Sequence, residues 1–242
     1  MNVVGVIPAR YSSTRFEGKI IADVLGKPMI QHVYERAKEA RLLEDVIIAA
    51  DDDRVINAIK EFGGKVTFTS PDQPTGSDRI AEVVNPLDVR VVVNIQGDEP
   101  LIRPKMINDL ASALLEDESI VMATLIKKID NPEDVSNPNV VKVVVDKDGF
   151  ALYFSRSPIP YARTSSGICY KHIGLYAYTK DFLFTFTNLP ALNLESSEAL
   201  EQLRALEYGY KIKTVETEYD TVGVDTPEDL EKVKAILLQE KK

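Results

Sequence analysis

The stretch Val3-Val4-Gly5-Val6-Ile7-Pro8 decides the fold class, because a short apolar run that ends at a proline is typical of a buried parallel strand. Similar runs rich in β-branched residues recur at residues 46–50, 65–69 and 90–95. Apolar residues at helical spacing fill the segments between them. Strands and helices that alternate with short connections predict an α/β fold, a doubly wound open sheet with right-handed crossovers.

Signals for helix ends support this alternation. The helix after the second run is expected to begin behind the acidic triplet 51–53 and to end at Gly63-Gly64. A later helix carries Pro104 near its start, where a missing backbone N–H costs nothing. The last helix is expected to start at Thr226-Pro227-Glu228-Asp229, which offers a capping hydroxyl, a proline at the first helical position and an acid at the third.

The pattern becomes richer in strands after about residue 120, and we expect this part to add antiparallel strands to the sheet. The strand-like segments are 120–126, 140–145, 150–154 and 173–178. A loop rich in Ser, Pro and Arg spans 155–167, and a helix over 197–208 and a strand over 211–216 precede the last helix. Because we find no repeat, low-complexity segment or obvious linker, we expect a single domain over residues 1–242 with an insert at about 126–205.

Composition limits the classes of function. The 29 Lys and Arg against 38 Asp and Glu give a net charge of −9, which disfavours nucleic acid and anionic membranes as partners. Cys169 is the only cysteine and His32 and His172 are the only histidines, which argues against disulfides and zinc sites. The first apolar run is too short for a signal peptide, and no stretch approaches the roughly twenty apolar residues of a membrane span. We therefore expect a cytoplasmic protein.

The loop after the first strand concentrates positive charge in this acidic chain. Arg10, Arg15 and Lys19 lie within ten residues, together with hydroxyl side chains and Gly18. Ligands of open α/β sheets bind at the carboxyl ends of the strands. Because the loop matches neither the Walker A pattern nor GxGxxG, its side-chain cations would have to meet the phosphate charge. The loop favours a phosphate ligand, with a solvated basic loop as the alternative.

Two acidic positions are candidate metal ligands. Asp98 follows the fourth strand in Gln96-Gly97-Asp98-Glu99, and one or two carboxylates suit Mg²⁺ that also binds water and phosphate. Glu99 could instead cap the next helix. Asp225 could merely help to cap the last helix, or it could share a metal with Asp98 if the last strand returns next to the first.

Other functions compete with a nucleotide-dependent enzyme. The acidic triplet 51–53 could be a metal motif of a glycosyltransferase, although helix capping explains it better. An oxidoreductase is disfavoured because a glycine fingerprint does not follow the first strand. A non-catalytic interaction protein remains as an alternative.

Several motifs occur in the order found in one family. They are Ile7-Pro8-Ala9-Arg10-Tyr11-Ser12-Ser13-Thr14-Arg15 with Gly18-Lys19, Gly26-Lys27-Pro28-Met29-Ile30, Gln96-Gly97-Asp98-Glu99-Pro100, Tyr153-Phe154-Ser155-Arg156, His172-Ile173-Gly174-Leu175-Tyr176, Glu201-Gln202-Leu203-Arg204 and Gly223-Val224-Asp225-Thr226-Pro227-Glu228-Asp229-Leu230. They span nearly the whole chain, which closely resembles the 3-deoxy-manno-octulosonate cytidylyltransferases, or CMP-Kdo synthetases. A cytidylyl- or uridylyltransferase for another sugar, for instance a sialic acid, and a non-catalytic sugar-binding protein are the alternatives.

This resemblance implies an activity and an architecture. Enzymes of this family use Mg²⁺ to couple CTP to the eight-carbon acid sugar Kdo, releasing pyrophosphate and activating Kdo for lipopolysaccharide synthesis. It implies a Rossmann-like open mixed sheet of the sugar nucleotidyltransferase type, with a strand-rich insert for sugar binding and dimerisation. A homodimer is therefore expected, with the interface or the core as equal alternatives for the apolar residues of the insert. These are Leu175, Tyr176, Tyr178, Phe182, Phe184 and Phe186.

The resemblance also implies roles for individual residues. The residues expected to bind CTP are Pro8, Ala9, Arg10, Arg15, Lys19, Ser70, Gly76, Ser77 and Arg79. Those expected to bind Kdo are Gln96, Arg156, His172, Glu201 and Gln202. Asp98 and Asp225 would hold the metal and, with Arg15 and Lys19, would be catalytic. Without the resemblance, His172 would be taken for a core histidine.

Overall fold

The computed structural model describes residues 2–163 and 167–240, so part of the predicted loop 155–167 lies outside the described residues. Its strands are β1 Val3–Ala9, β2 Asp23–Val24, β3 Lys27–Pro28, β4 Asp45–Ala50, β5 Val66–Phe68, β6 Val91–Asn94, β7 Met122–Lys128, β8 Lys142–Val145, β9 Ala151–Ser155, β10 Tyr170–Thr179 and β11 Lys213–Glu216. Its helices are α1 Met29–Lys38, α2 Asp53–Glu61, α3 Gly76–Val84, α4 Pro104–Glu116, α5 Pro132–Ser136, α6 Lys180–Asn188, α7 Asn193–Glu198, α8 Leu203–Glu207 and α9 Pro227–Glu240.

The main sheet has the strand order β11-β7-β10-β6-β1-β4-β5. Strands β6, β1, β4 and β5 are parallel to one another, as the apolar runs predicted. Strand β10 runs antiparallel to β6 and β7, and β8 and β9 add a further antiparallel pair beside it. The predicted α/β open sheet with antiparallel additions is confirmed, except that β11 joins β7 in parallel.

Strand β1 lies at the centre because both of its faces are buried. Val4 and Val6 pack into one apolar cluster, and Val3 and Ile7 pack into the other on the opposite face. Successive side chains of a strand alternate between faces, so an unbroken apolar run requires helices on both sides of the sheet. None of the described helices is both long and apolar enough to cross a bilayer.

The predicted helix ends are confirmed at three places. Asp52 caps α2 by accepting a hydrogen bond from the backbone N–H of Arg54. Pro104 occupies the first position of α4. At the start of α9, the Asp229 carboxylate accepts from the Thr226 backbone N–H at 3.2 Å, and the Thr226 hydroxyl accepts from the Asp229 N–H at 3.3 Å. This reciprocal pair is the capping box that the sequence offered.

One expectation about the insert was wrong, and one alternative that the sequence left open is decided for three residues. The predicted helix over 197–208 is two short helices, α7 and α8, because Ala199 adopts a left-handed conformation with φ of 51° and ends α7. The apolar residues considered for a dimer interface belong mainly to the core, since Leu175, Tyr178 and Phe186 are at most 1% exposed. Tyr178 and Phe186 cover the face of the sheet next to α3, where α6 packs, and Leu175 packs on the opposite face.

Gly97 is required where the end of β6 approaches the end of β1. A Cβ atom at this position would lie 2.9 Å from the backbone oxygen of Pro8 and 3.1 Å from Ile20. We therefore expect Gly97→Ala to lower the free energy of unfolding by about 1–3 kcal/mol in urea denaturation, because overpacking forces the strand ends apart. Gly223→Ala is the matched control, since none of the described residues would lie within 4 Å of its Cβ. Equal stability of the two variants would contradict this prediction.

Candidate active site

A cleft of about 400 Å³ opens at the carboxyl ends of β1 and β6. Three predicted cations, Arg10, Arg15 and Lys19, line it together with both predicted metal ligands, Asp98 and Asp225. The position agrees with the rule that open α/β sheets bind ligands beyond the carboxyl ends of their strands. The structure therefore brings residues from the two ends of the chain into one site.

The Lys19 ammonium lies at the centre of this cleft. It donates to Asp98 Oδ2 at 2.7 Å and to Asp225 Oδ1 at 3.0 Å, and the third donor contact is to the backbone oxygen of Val224 at 2.9 Å. Burial disfavours the charged form of Lys19, but the hydrogen bonds and charges of Asp98 and Asp225 outweigh it and raise the pKa of the lysine. Arg15 contacts the other oxygen of Asp225 at 3.0 Å.

Asp225 reaches the cleft by a different route from the one expected. Strand β11 does not return next to β1, since β7, β10 and β6 lie between them. Instead, the segment between β11 and α9 leads back to the cleft, and the Val224 backbone N–H donates to the Asp98 carbonyl at 2.9 Å. The last strand thus does not return next to the first, yet Asp98 and Asp225 both contact the ammonium of Lys19.

The donor set around Lys19 fits a hard divalent cation. Within residues 2–163 and 167–240 there is no cluster of three or more His, Cys, Asp or Glu side chains that could hold a metal. Mg²⁺ usually keeps several waters and binds one or two carboxylates plus substrate phosphates. Asp98 and Asp225, already arranged around one positive charge, provide such a sparse oxygen site.

Of the other residues predicted for CTP, some line the cleft and two serines form hydrogen bonds with glutamates. Pro8 and Gly76 line the cleft, and the Arg10 guanidinium donates to the Gln73 carbonyl at 2.8 Å. The Ser70 backbone N–H donates to Glu82 at 3.2 Å. The Ser77 hydroxyl, on the first turn of α3, donates to Glu201 at 3.0 Å and so joins the residues predicted for the two substrates.

Arg79 lies beneath the cleft rather than on its surface. Its side chain is fully buried, and it pairs with Asp51 at 2.9 Å. Burial lowers the pKa of Arg79, although the Asp51 carboxylate opposes this effect. The other oxygen of Asp51 accepts from the backbone N–H of Tyr11 at 3.3 Å. Arg79 therefore reaches the cation-rich loop through Asp51.

Sequence reasoning missed this support, because it explained the whole triplet 51–53 as a helix cap. Asp52 is the cap, whereas Asp51 holds the loop. Asp52 also pairs with the Arg54 guanidinium, which stacks 3.4 Å from the centroid of the Tyr11 ring. The sequence signals were Tyr11 in the loop and Arg54 directly after the triplet, since a guanidinium and an aromatic ring attract each other.

Glu99 is a second residue that the sequence misplaced. It was considered as a helix cap, but α4 begins later at Pro104 and the Glu99 carboxyl is enclosed by protein. Burial, together with the nearby charges of Asp98 and Asp220, raises the pKa of Glu99 to about 8. A hydrogen bond with Thr221 opposes this shift, and the second oxygen, Oε2, has no hydrogen-bond partner among the described residues.

The residues predicted for the sugar lie after β6, after β9, on β10 and between α7 and α8, and of these Gln96 lines the cleft. The Gln96 amide, which lines the cleft, donates to Asn94 at 3.1 Å. Glu201 and Gln202 lie between α7 and α8, and Gln202 is 4% exposed. Glu201 Oε1 and Gln202 Nε2 are buried without a hydrogen-bond partner in the described parts of the chain. Unpaired buried polar atoms are costly, so this pair favours a polar ligand.

His172 lies on β10 with its ring among other aromatic rings. The centroid of Phe154 is 5.1 Å away and that of Tyr176 is 5.4 Å away. The Thr124 hydroxyl donates to the Leu175 carbonyl at 2.7 Å, so it accepts from His172 Nε2 at 2.9 Å. Although part of the residue still contacts solvent, desolvation of the ring lowers the pKa of His172 to about 3. The site therefore holds a neutral imidazole.

The lowered pKa of His172 predicts a pH-dependent stability. Below pH 6.5 the unfolded chain protonates this histidine, whereas the folded chain does not until about pH 3. Stability is therefore lost as the pH falls, by up to about 2 kcal/mol between pH 7 and pH 5. His172→Gln removes this contribution. Measured by urea denaturation, the unfolding free energy of the wild type should therefore fall between pH 7 and pH 5 by about 2 kcal/mol more than that of His172→Gln. An equal fall in both proteins would contradict the prediction.

Comparison with known proteins places the chain in a family. The family model described as cytidylyltransferase matches residues 4–212. A 3-deoxy-manno-octulosonate cytidylyltransferase of Geobacter sulfurreducens is 52% identical over 96% of this chain and 98% of its own length. One of Solibacter usitatus is 53% identical, over 98% of this chain and 96% of its own.

A solved structure agrees with these sequence relatives. It is that of CMP:2-keto-3-deoxy-manno-octonic acid synthetase complexed with CTP. Its TM-score is 0.95 at 45% identity, and the match covers 99% of this chain and all of that one. The open mixed sheet and the cleft beyond β1 and β6 are thus set in a fold shared along the whole length. The chain belongs to the cytidylyltransferase family and, within it, to the 3-deoxy-manno-octulosonate cytidylyltransferases.

Proposed function

We propose that this protein transfers the cytidylyl group of CTP to Kdo, giving CMP-Kdo and pyrophosphate. The observation that carries the proposal is the cleft in which Arg15 and Lys19 meet Asp98 and Asp225. Cations for a triphosphate and two carboxylates for a divalent cation are the groups this reaction needs. The relatives named for the same activity match nearly the whole chain.

CTP would lie along the carboxyl ends of β1 and β6. Arg10, Arg15 and Lys19 would bind the triphosphate, since guanidinium and ammonium groups line that part of the cleft. The main chain of Pro8 and Ala9 would contact the nucleoside. Four further residues, Ser70, Gly76, Ser77 and Arg79, would complete the cytosine and ribose pocket, with Arg79 acting from beneath through Asp51.

Kdo would lie beside the nucleotide, between β6 and the α7–α8 turn. Its carboxylate needs a cation, which Arg156 would supply, and its hydroxyl groups need donors and acceptors. Gln96, Glu201 and Gln202 offer these groups, and the latter two have unpaired buried atoms. His172 would present a neutral ring to the sugar rather than a charge.

Mg²⁺ is the metal that this donor set suits, and Asp98 and Asp225 would hold it. When bound, the ion would neutralise negative charge on the triphosphate. The anomeric hydroxyl of Kdo would attack the α-phosphorus in line, forming one P–O bond while the bond to the departing pyrophosphate breaks. The chain itself would position the reactants and, through Arg15 and Lys19, stabilise the leaving phosphates, so no protein nucleophile is needed.

Further assignments rest on the family resemblance. We assign the product to lipopolysaccharide synthesis, the protein to the cytoplasm, and the functional unit to a homodimer. The insert at about 126–205 would carry sugar contacts and dimer contacts within a single domain of residues 1–242. Leu175, Tyr178 and Phe186 belong to the core, so the dimer contacts would use other residues of the insert.

The decisive experiment is a pyrophosphate-release assay with CTP, Kdo and Mg²⁺, in which each component is omitted in turn. We expect release only with all three, because none of the protein's own groups replaces the sugar or the metal. A parallel reaction with sialic acid in place of Kdo tests whether the protein acts on a different acid sugar. Release with sialic acid but not Kdo would reassign the substrate, and failure to release with either sugar would favour a binding protein.

The role of Asp98 in activity can be tested separately from its effect on folding. Asp98→Asn keeps the shape of the side chain and removes one charge from the metal site, so we expect turnover to fall on the order of a thousandfold at saturating Mg²⁺. Asp109→Asn is the matched control, since Asp109 lies outside the cleft and pairs with Lys105 on the same helix, α4. Near-normal turnover of Asp98→Asn would contradict the assignment.

A further inference from the structure

Lys142 is a fully buried lysine that the predicted site does not include. It lies at the start of β8, with 0% of its surface exposed. Its ammonium donates to three backbone carbonyls: Asn137 at 2.8 Å, Val140 at 2.6 Å and Arg156 at 2.6 Å. An ammonium has three N–H groups, so all of them are used. Burying a charge without partners is costly, so these three carbonyls stabilise the buried ammonium.

The three carbonyls belong to two segments, the 137–140 turn and the end of β9. Asn137 and Val140 flank the turn between α5 and β8, and a backbone hydrogen bond of 3.1 Å from Val140 to Asn137 closes that turn. Arg156 directly follows β9. Lys142 therefore fixes the distance between the turn and the backbone of Arg156.

The same turn also holds the side chain of Arg156. One terminal nitrogen of its guanidinium donates to the Pro138 carbonyl at 3.1 Å. Nε donates to the Glu198 carbonyl at 2.8 Å, and the second terminal nitrogen donates to the Ala199 carbonyl at 3.4 Å. A guanidinium has five N–H groups, so within residues 2–163 and 167–240 these contacts leave two without a partner, one on each terminal nitrogen. Such a pair matches a carboxylate.

We infer that Lys142 is a positioning residue for the sugar acid, acting through Arg156. It holds the Arg156 carbonyl and, through the 137–140 turn, the Pro138 carbonyl that orients the guanidinium. Both contacts are to neutral carbonyls, and the neighbouring Glu198 carboxylate accepts from the Arg156 backbone N–H at 2.9 Å rather than from the guanidinium. The inference rests on the proposed function, because it takes Arg156 as the group that meets the Kdo carboxylate.

The test replaces Lys142 by Met, which keeps the length of the side chain and removes its donors. In the pyrophosphate assay, we expect the KM for Kdo to rise about tenfold to a hundredfold, the equivalent of one lost charge-assisted hydrogen bond. The KM for CTP should stay within about twofold, because the nucleotide residues lie on other segments. Loss of folded protein alone would lower kcat and leave both KM values unchanged.

Lys180→Met is the matched control. Lys180 also donates to backbone carbonyls, those of Asn85 and Leu87, but it follows the far end of β10, away from the cleft. It should lose stability without a change in the KM for Kdo. If Lys142→Met does not fold, Lys142→Gln, which leaves at least one carbonyl unpaired, takes its place in the same comparison.

The outcomes separate the inference from the proposed function. An inactive wild-type protein would overturn the function itself. An active wild type whose Lys142 variant shows an unchanged KM for Kdo, or equal rises in both KM values, would overturn the positioning role and leave the function standing. A selective rise in the KM for Kdo that Lys180→Met does not reproduce supports the role.

Discussion

The contact of one ammonium, that of Lys19, with Asp98 and Asp225 unites parts of the chain that lie far apart in sequence. Lys19 follows the first strand, Asp98 follows β6, and Asp225 precedes the last helix. Each carboxylate is repelled by the other unless a cation lies between them, so the loop after β1 must close for the site to form. The close approach at Gly97 makes this possible, since a side chain there would meet the backbone of Pro8.

Much of the fold followed from the sequence, because buried parallel strands leave a local signal. The apolar run around Val4 and the proline at position 104 each mark an element in a way that tertiary contacts do not override. The break at Ala199 was not predictable, since alanine favours a continuous helix and its left-handed conformation is imposed by packing. The edge position of β11 was equally hidden, because pairing is a long-range property.

The site was predictable to the extent that its residues face the cleft. Lys19 and Asp98 stand in motifs, whereas the groups that support them look in sequence like ordinary solvated charges. Asp51 was explained as part of a helix cap, and Lys142 was not distinguished from the rest of the strand-like segment 140–145. A single sequence shows neither burial nor partner, and for a charged residue these two facts determine whether it is a structural support.

The cationic side chains fall into two groups, one that binds carboxylates and one that binds backbone carbonyls. Lys19 and Arg15 pair with carboxylates, and those oxygens can also bind a divalent cation, so the arrangement can change when nucleotide and metal enter. Lys142 and Arg156 instead donate to backbone carbonyls, which remain in place as long as the fold does. Under the proposed function, the phosphate side of the cleft would be adjustable and the sugar side preorganised. This combination would suit a reaction that needs charge neutralisation at a polyanion and accurate placement of one hydroxyl.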